Sequence, residues 1–206
     1  MLSKLREPVN GLTHLGGAIA AFFGLIALLV VGWGGAAKVV SLLVYGLSLI
    51  ALFSASAAYH MAKVEPAALQ TLRKFDHSAI FLLIAGTYTP VALVTIGGAL
   101  GWTMFGLTWG LAAVGTVCEV VPWRYGRAVA LVLYVVMGWL AIGAVSRVFE
   151  GLGTTGGVLI VVGGALYTVG IVFYAWRSLP HSHGIWHLFV LGGSACHFAA
   201  IVLFGF

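Results

Sequence analysis

Polar and charged residues gather in clusters along this chain, and the apolar stretches between the clusters show no strand-like alternation. An unbroken apolar run suits a helix in lipid, because a helix satisfies its backbone hydrogen bonds within one segment. Seven such runs can be drawn, roughly 11–33, 39–60, 76–97, 102–121, 128–147, 156–176 and 184–205. Each is near the ~20 residues that cross a bilayer core. Turn formers separate them: Gly34–Gly35, Pro66, Gly97–Gly98, Pro122, Gly151–Gly153 and Pro180. Neither a repeat nor a linker interrupts residues 1–206. The pattern therefore predicts one domain, an all-α integral membrane protein built as a seven-transmembrane helix bundle.

Composition strengthens that reading. Of the residues, 62% are hydrophobic and 7% charged, against about 25% charged in soluble proteins. The 29 glycines suit close helix packing in lipid. No small-residue cleavage site follows a short apolar core after Lys4, Arg6, Glu7 and Pro8, so a retained first helix is expected. Alternating the span ends puts Lys4, Arg6, Lys63, Arg73, Lys74, Arg124, Arg127 and Arg177 on one side, and only Lys38 and Arg147 on the other. Basic residues favour the cytoplasm, which predicts a multi-pass protein of the cell inner (plasma) membrane with its N-terminus cytoplasmic and its C-terminus external. Trp33, Trp102, Trp123, Trp176 and Trp186 fall at span ends, as interfacial anchors would. The net charge of +5 is scattered over loop ends, so membrane lipids are the expected partners and nucleic acid is not. Cys118 and Cys196 lie inside apolar spans and read as small buried thiols.

The chemistry concentrates at one membrane depth. His183 and His187 stand four residues apart at the start of the last span, so a helix puts both on one face, the spacing by which two imidazoles grip a metal ion. His60 ends the second span and Asp76 begins the third, both on the same cytoplasmic side. Four candidate groups far apart in sequence thus reach one level, where ionisable residues are expensive and face partners or a polar cavity. Ser56 lies one turn before His60; its plainer role is a back-bond to its own helix. Asp76, as first residue of its span, would also serve as an N-cap.

Glu7, Asn10, Thr13 and His14 form a polar stripe at helical spacing in the first span, which either caps that helix or holds the site's residues in place. His77 is assigned a packing or supporting role. His197 lies about 15 Å along the axis from His187, too far to share its ion, and His181 sits in a loop. Glu119 with Arg124 and Arg127 reads as an interfacial charge cluster, and Pro90 as a kink in the third span.

Glu7-x-x-Asn10-x-x-Thr13-His14, Ser56-x-x-x-His60 followed by Asp76, and His183-x-x-x-His187 together resemble, in order, the three motifs of the hemolysin III branch of the progestin and adipoQ receptor (PAQR) family. The resemblance implies zinc held by His60, His183 and His187, with Asp76 hydrogen-bonded to a water on the metal and Ser56 beside it. The family is also similar to alkaline ceramidases, which implies hydrolysis of a lipid amide; a site at the cytoplasmic side would take that lipid from the inner leaflet. The long cytoplasmic N-terminal region of the animal receptors has no counterpart here, so hormone reception is not expected, and His77 stands where those receptors carry another residue. Zinc as a structural clamp in a non-enzymatic homeostasis or receptor-like protein is the alternative. A transporter, channel or pore-forming hemolysin follows behind, because the outer half of the chain offers few polar groups. Oligomeric state and substrate are not legible in the residues.

Overall fold

The computed structural model describes residues 5–176 and 178–204. Lys4 and Arg177, which entered the orientation argument, lie outside the described residues. The described chain is all helix and turn: α1 (Pro8–Val31), α2 (Ala36–Met61), α3 (Pro66–Pro90), α4 (Gly98–Val120), α5 (Gly126–Trp139), α6 (Val145–Ala175) and α7 (Ser182–Phe204). Six helical segments are long and apolar enough to cross a membrane, the longest being the 50-residue run Gly126–Ala175. Large apolar side chains cover the outside, Val30 being 72% exposed and Leu203 66% exposed. In water such a surface would aggregate; in a bilayer it faces its own solvent.

The 50-residue run is not one straight rod. Straight, it would measure about 75 Å, more than twice a ~30 Å bilayer core. Instead Arg127 Nη2, near its start, donates to Tyr174 OH, near its end, at 2.6 Å, and Trp139 Nε1 donates to Thr168 Oγ1 at 2.9 Å. The run is a hairpin. A short 3-10 stretch, Leu140–Ala144, tightens it after α5, and the corner falls at Gly153, whose φ of 68° and ψ of 175° are reserved for glycine. The expected turn at Gly151–Gly153 is thus a single-residue break within helix, rather than the loop drawn over 148–155.

The third span differs more. Helix α3 starts at Pro66, ten residues before the expected 76. Proline is preorganised for a first helical turn, and residues 67–75 (Ala, Leu, Gln, Thr, Arg, Lys, Phe) are mostly good helix formers whose polarity masks them from a hydropathy window. Asp76 therefore lies well inside the helix and is not its N-cap. Pro90 ends α3, and the chain continues through a wide π-helical turn, Val91–Ile96, as expected where a ladder hydrogen bond is missing.

Helix α1 packs on both α2 and α7, which brings the first and last helices of the chain together. Small residues on the inner face of α1 make the approach possible. A Cβ added to Gly17 would meet Leu191 Cδ2 at 2.8 Å and Phe53 Cδ1 at 2.9 Å. This contact between α1, α2 and α7 holds the polar ends of the three helices at one level.

Candidate metal centre

The site begins with the backbone. The last carbonyls of a helix have no partner within it. At the end of α2, the N–H groups of Glu7 and Arg6 donate to the carbonyls of His60 at 2.9 Å and Met61 at 3.4 Å. Arg6 Nη2 adds a bond to the Tyr59 carbonyl at 2.7 Å, with its guanidinium 4.4 Å from that tyrosine's ring centre. The segment before α1 is thereby tied along the end of α2, and Glu7 is carried to His60.

Glu7 Oε2 lies 2.6 Å from His60 Nδ1 and also accepts from Asn10 Nδ2 at 2.9 Å. An ionised carboxylate can only accept, so the His60 proton sits on Nδ1 and its Nε2 lone pair is free. Burial pushes the Glu7 carboxyl up, but its hydrogen bonds with Asn10 and His60 and the charges of His60 and Arg6 outweigh it and hold the group below the usual value. The same logic fixes His187: its Nδ1 donates to the Asn10 main-chain carbonyl at 3.2 Å, leaving Nε2 free. Two residues of the polar stripe therefore set the tautomers of two histidines, one through a carboxylate and one through a backbone carbonyl. Supports of this kind orient histidine ligands in metal sites generally.

His183 completes the group. The ring centres of His60, His183 and His187 form a near-equilateral triangle with sides of 4.9, 4.8 and 4.8 Å. One nitrogen from each lies within 4.8 Å of the others, an arrangement that could hold a metal ion. His183 Nε2 is 3.3 Å from His60 Nε2. Two nitrogens at ~2.0–2.1 Å from a tetrahedral zinc would stand about 3.3–3.4 Å apart, so that spacing fits zinc, as does the all-nitrogen donor set. Nitrogen donors alone do not distinguish zinc from neighbouring transition metals.

The remaining candidates divide. Asp76 is 8% exposed, Ser56 is also buried, and both line the same cavity as His183 and His187. Thr13 back-bonds to the carbonyls of Val9 and Asn10 within its own helix. His14 is buried and lies flat on His187, ring centres 3.7 Å apart and planes 15° apart. His77 turns away from the triangle, with Nδ1 3.1 Å from Glu119 Oε2. His197 is remote, donating from Nε2 to the Ile160 carbonyl at 3.0 Å, and His181 is exposed.

His183 and His187 of the triangle, with His14, Ser56, Asp76 and His77, border one cavity of about 1180 Å³, counting its open mouth. Asp76, Ser56, His183 and His187 line one end; Leu83, Ile84, Leu131 and Ile171 make its walls apolar. A second polar group that the sequence did not bring out faces the same space: the His77–Glu119 pair, Tyr134 OH donating to the His77 carbonyl at 2.8 Å, and Arg127 on Tyr174. Of the expected charge cluster, Glu119 and Arg127 line the same cavity, with Glu119 also paired to His77, while Arg124 lies against Tyr125. Trp186 packs against Tyr174 and lines the cavity, a different duty from the interfacial one its span-end position suggested. Tyrosines in apolar spans carry no sequence signal that separates cavity lining from packing.

Comparison with known proteins agrees with the motifs. A family model described as Haemolysin-III related matches residues 2–198. Hemolysin-3 of Bacillus cereus is 41% identical over 200 residues, covering 96% of this chain and 91% of that protein. The Hemolysin-3 homolog of Bacillus subtilis (strain 168) is 36% identical over 206 residues, covering 99% and 96%. The human Monocyte to macrophage differentiation factor is 30% identical over 164 residues, covering 77% and 67%. With its three motifs in order and the family's model matching almost end to end, the chain belongs to the haemolysin-III-related family.

Proposed function

We propose that this protein is a zinc-dependent hydrolase of the plasma membrane that cleaves an amide bond in a lipid entering from the inner leaflet. The observation that carries the reading is the triangle of three histidines beside a buried carboxylate at one end of a large apolar cavity. Three neutral imidazoles leave a fourth metal position open, the arrangement of catalytic rather than structural zinc. When bound, zinc would supply Lewis-acid polarisation of the scissile carbonyl and make water a better nucleophile near neutral pH.

The chain's own residues do the rest. The cavity walls exclude bulk water and align the apolar chain of the lipid. Asp76 accepts the proton of the attacking water and returns it to the leaving nitrogen, so that water and amide become carboxylic acid and amine. Ser56, buried in the same cavity wall, is a neutral donor for the developing oxyanion. Glu7 and Asn10 keep the ligand nitrogens of His60 and His187 turned toward the ion. The products are single-chained amphiphiles, which is a chemical route from this reaction to the lysis in the bacterial relatives' names.

The placement rests on seven crossings, which the hairpin of the longest run supports by supplying two legs. The eight-to-two basic asymmetry supports a cytoplasmic N-terminus and an external C-terminus. A structural-zinc reading draws on one observation, that the ligands come from α2 and α7 and would pin both against α1. For a transporter, the far end of the cavity supplies little: Thr87 back-bonds to its own helix and His197 is committed to Ile160. The test is lipid analysis of membranes incubated with purified protein, metal-loaded against metal-stripped. Loss of one amide lipid with a matching gain of fatty acid, only with metal, is expected; unchanged lipids would refute the hydrolase.

A further inference from the structure

The bundle holds a second cavity, of about 610 Å³ counting its open side. Among the described residues, Thr87, Tyr88, Gly138, Trp139, Gly164 and His197 border both cavities, so the two meet at one ring. The ring stands at the far end of the first cavity from the metal centre. Thr87 follows Asp76 by eleven residues on α3, and His197 follows His187 by ten on α7, each about 15–17 Å along its helix. Hydrogen bonds fix the outline of the ring: Tyr88 OH accepts from the Ala141 N–H at 2.7 Å, Trp139 donates to Thr168, and His197 donates to the Ile160 carbonyl. Beyond it the walls are apolar, with Val91, Val145, Val148, Phe149 and Val161.

Two of the six residues have no side chain to close the ring. A Cβ at Gly138 would meet nothing within 4 Å, and one at Gly164 would meet the Trp139 ring, at 3.9 Å, an ordinary contact. The neighbouring Gly163 differs, because a Cβ there would run into His197. Packing therefore demands glycine at 163 and not at 164. Glycine is the poorest helix former after proline, so its place at 164, inside α6, calls for another reason, and its position on the ring supplies one.

We propose that the second cavity is the tail-binding subsite of the substrate: a hydrocarbon chain that starts at the metal centre passes the ring beside Gly164 and Trp139 and ends among the apolar walls beyond. This rests on the reading of the first cavity as a lipid-amide site and adds a chain-length preference to it. With C–C bonds of about 1.5 Å, roughly a dozen carbons of extended chain cover the distance from the metal centre to the ring. Longer tails thus occupy the second cavity and shorter ones do not. Gly164 is a specificity-determining residue that takes no part in holding the metal or moving the proton.

The test uses the full-length, detergent-solubilised, zinc-loaded protein with radiolabelled octanamide and octadecanamide, affinities being stated for the free amide. Wild type should bind octadecanamide more tightly than octanamide. Gly164→Leu extends a side chain along the Trp139 ring and should lower that preference about 10-fold or more, the effect of no longer burying two or more methylenes. Octanamide affinity and zinc content should stay at wild type. A folded Gly164→Leu protein with the full preference, or a wild type with none, overturns the subsite. Should Gly164→Leu not fold, wild type decides: octadecanamide bearing a diazirine on its last carbon should cross-link to Phe149, beyond the ring, and cross-links confined to the first cavity would overturn the proposal. Preference lost on substitution, with no amide hydrolysis by loaded wild type, upholds the subsite and refutes the hydrolase alone.

Discussion

Two residues of the polar stripe divide the work of holding the site, and they make different predictions. His60 and His187 would donate their Nε2 atoms directly, while Glu7 acts through His60 alone. His187→Ala should lose most of about one zinc per chain by elemental analysis, and His197→Ala should keep it, because His197 is bound to Ile160 on another part of the bundle. Glu7→Gln removes the charge that fixes the His60 tautomer and keeps a polar group in place. Supporting carboxylates of this kind typically contribute about 10–100-fold to metal affinity, so zinc should still bind but be stripped at correspondingly lower chelator concentration. Equal chelator resistance in wild type and Glu7→Gln would remove Glu7 from the site.

At the scale of helices, the sequence revealed spacing better than boundaries. His183 and His187 declared their shared face by number alone, and the stripe from Glu7 to His14 declared its helix. What they touch was not legible: that Glu7 meets His60 depends on the segment before α1 lying along the end of α2, through bonds no local pattern encodes. Asp76 was read as the first residue of its span because Gln70, Thr71, Arg73 and Lys74 hid the first turns of α3. Turn positions were clearer, because a glycine forced into an unusual conformation leaves a mark. Gly153 turns the longest helical run back on itself with nothing close to its Cβ position, so Gly153→Ala meets backbone strain only. That strain costs about 1–3 kcal/mol and should lower the apparent melting temperature in detergent by about 2–8 °C. An unchanged melting curve would place the corner elsewhere.

For the whole molecule, the account joins an orientation to a reaction. A reporter fused at residue 1 should be cytoplasmic and one fused after Phe206 external; finding both on one side would end the seven-crossing proposal and move the site relative to the leaflets. The central claim, that zinc here is catalytic, rests on Asp76, buried and lining the same cavity as His183 and His187. Asp76→Asn keeps size and hydrogen bonding but cannot take up a proton, and general acid–base groups contribute roughly 10²–10⁴-fold to rate. The most direct measurement is therefore amide-lipid hydrolysis by purified Asp76→Asn protein, with zinc content and melting temperature read on the same sample. The account predicts zinc and stability near wild type and hydrolysis reduced by at least about 100-fold. Wild-type hydrolysis in that variant would contradict it, and loss of zinc together with activity would make Asp76 a ligand in place of the proton carrier proposed.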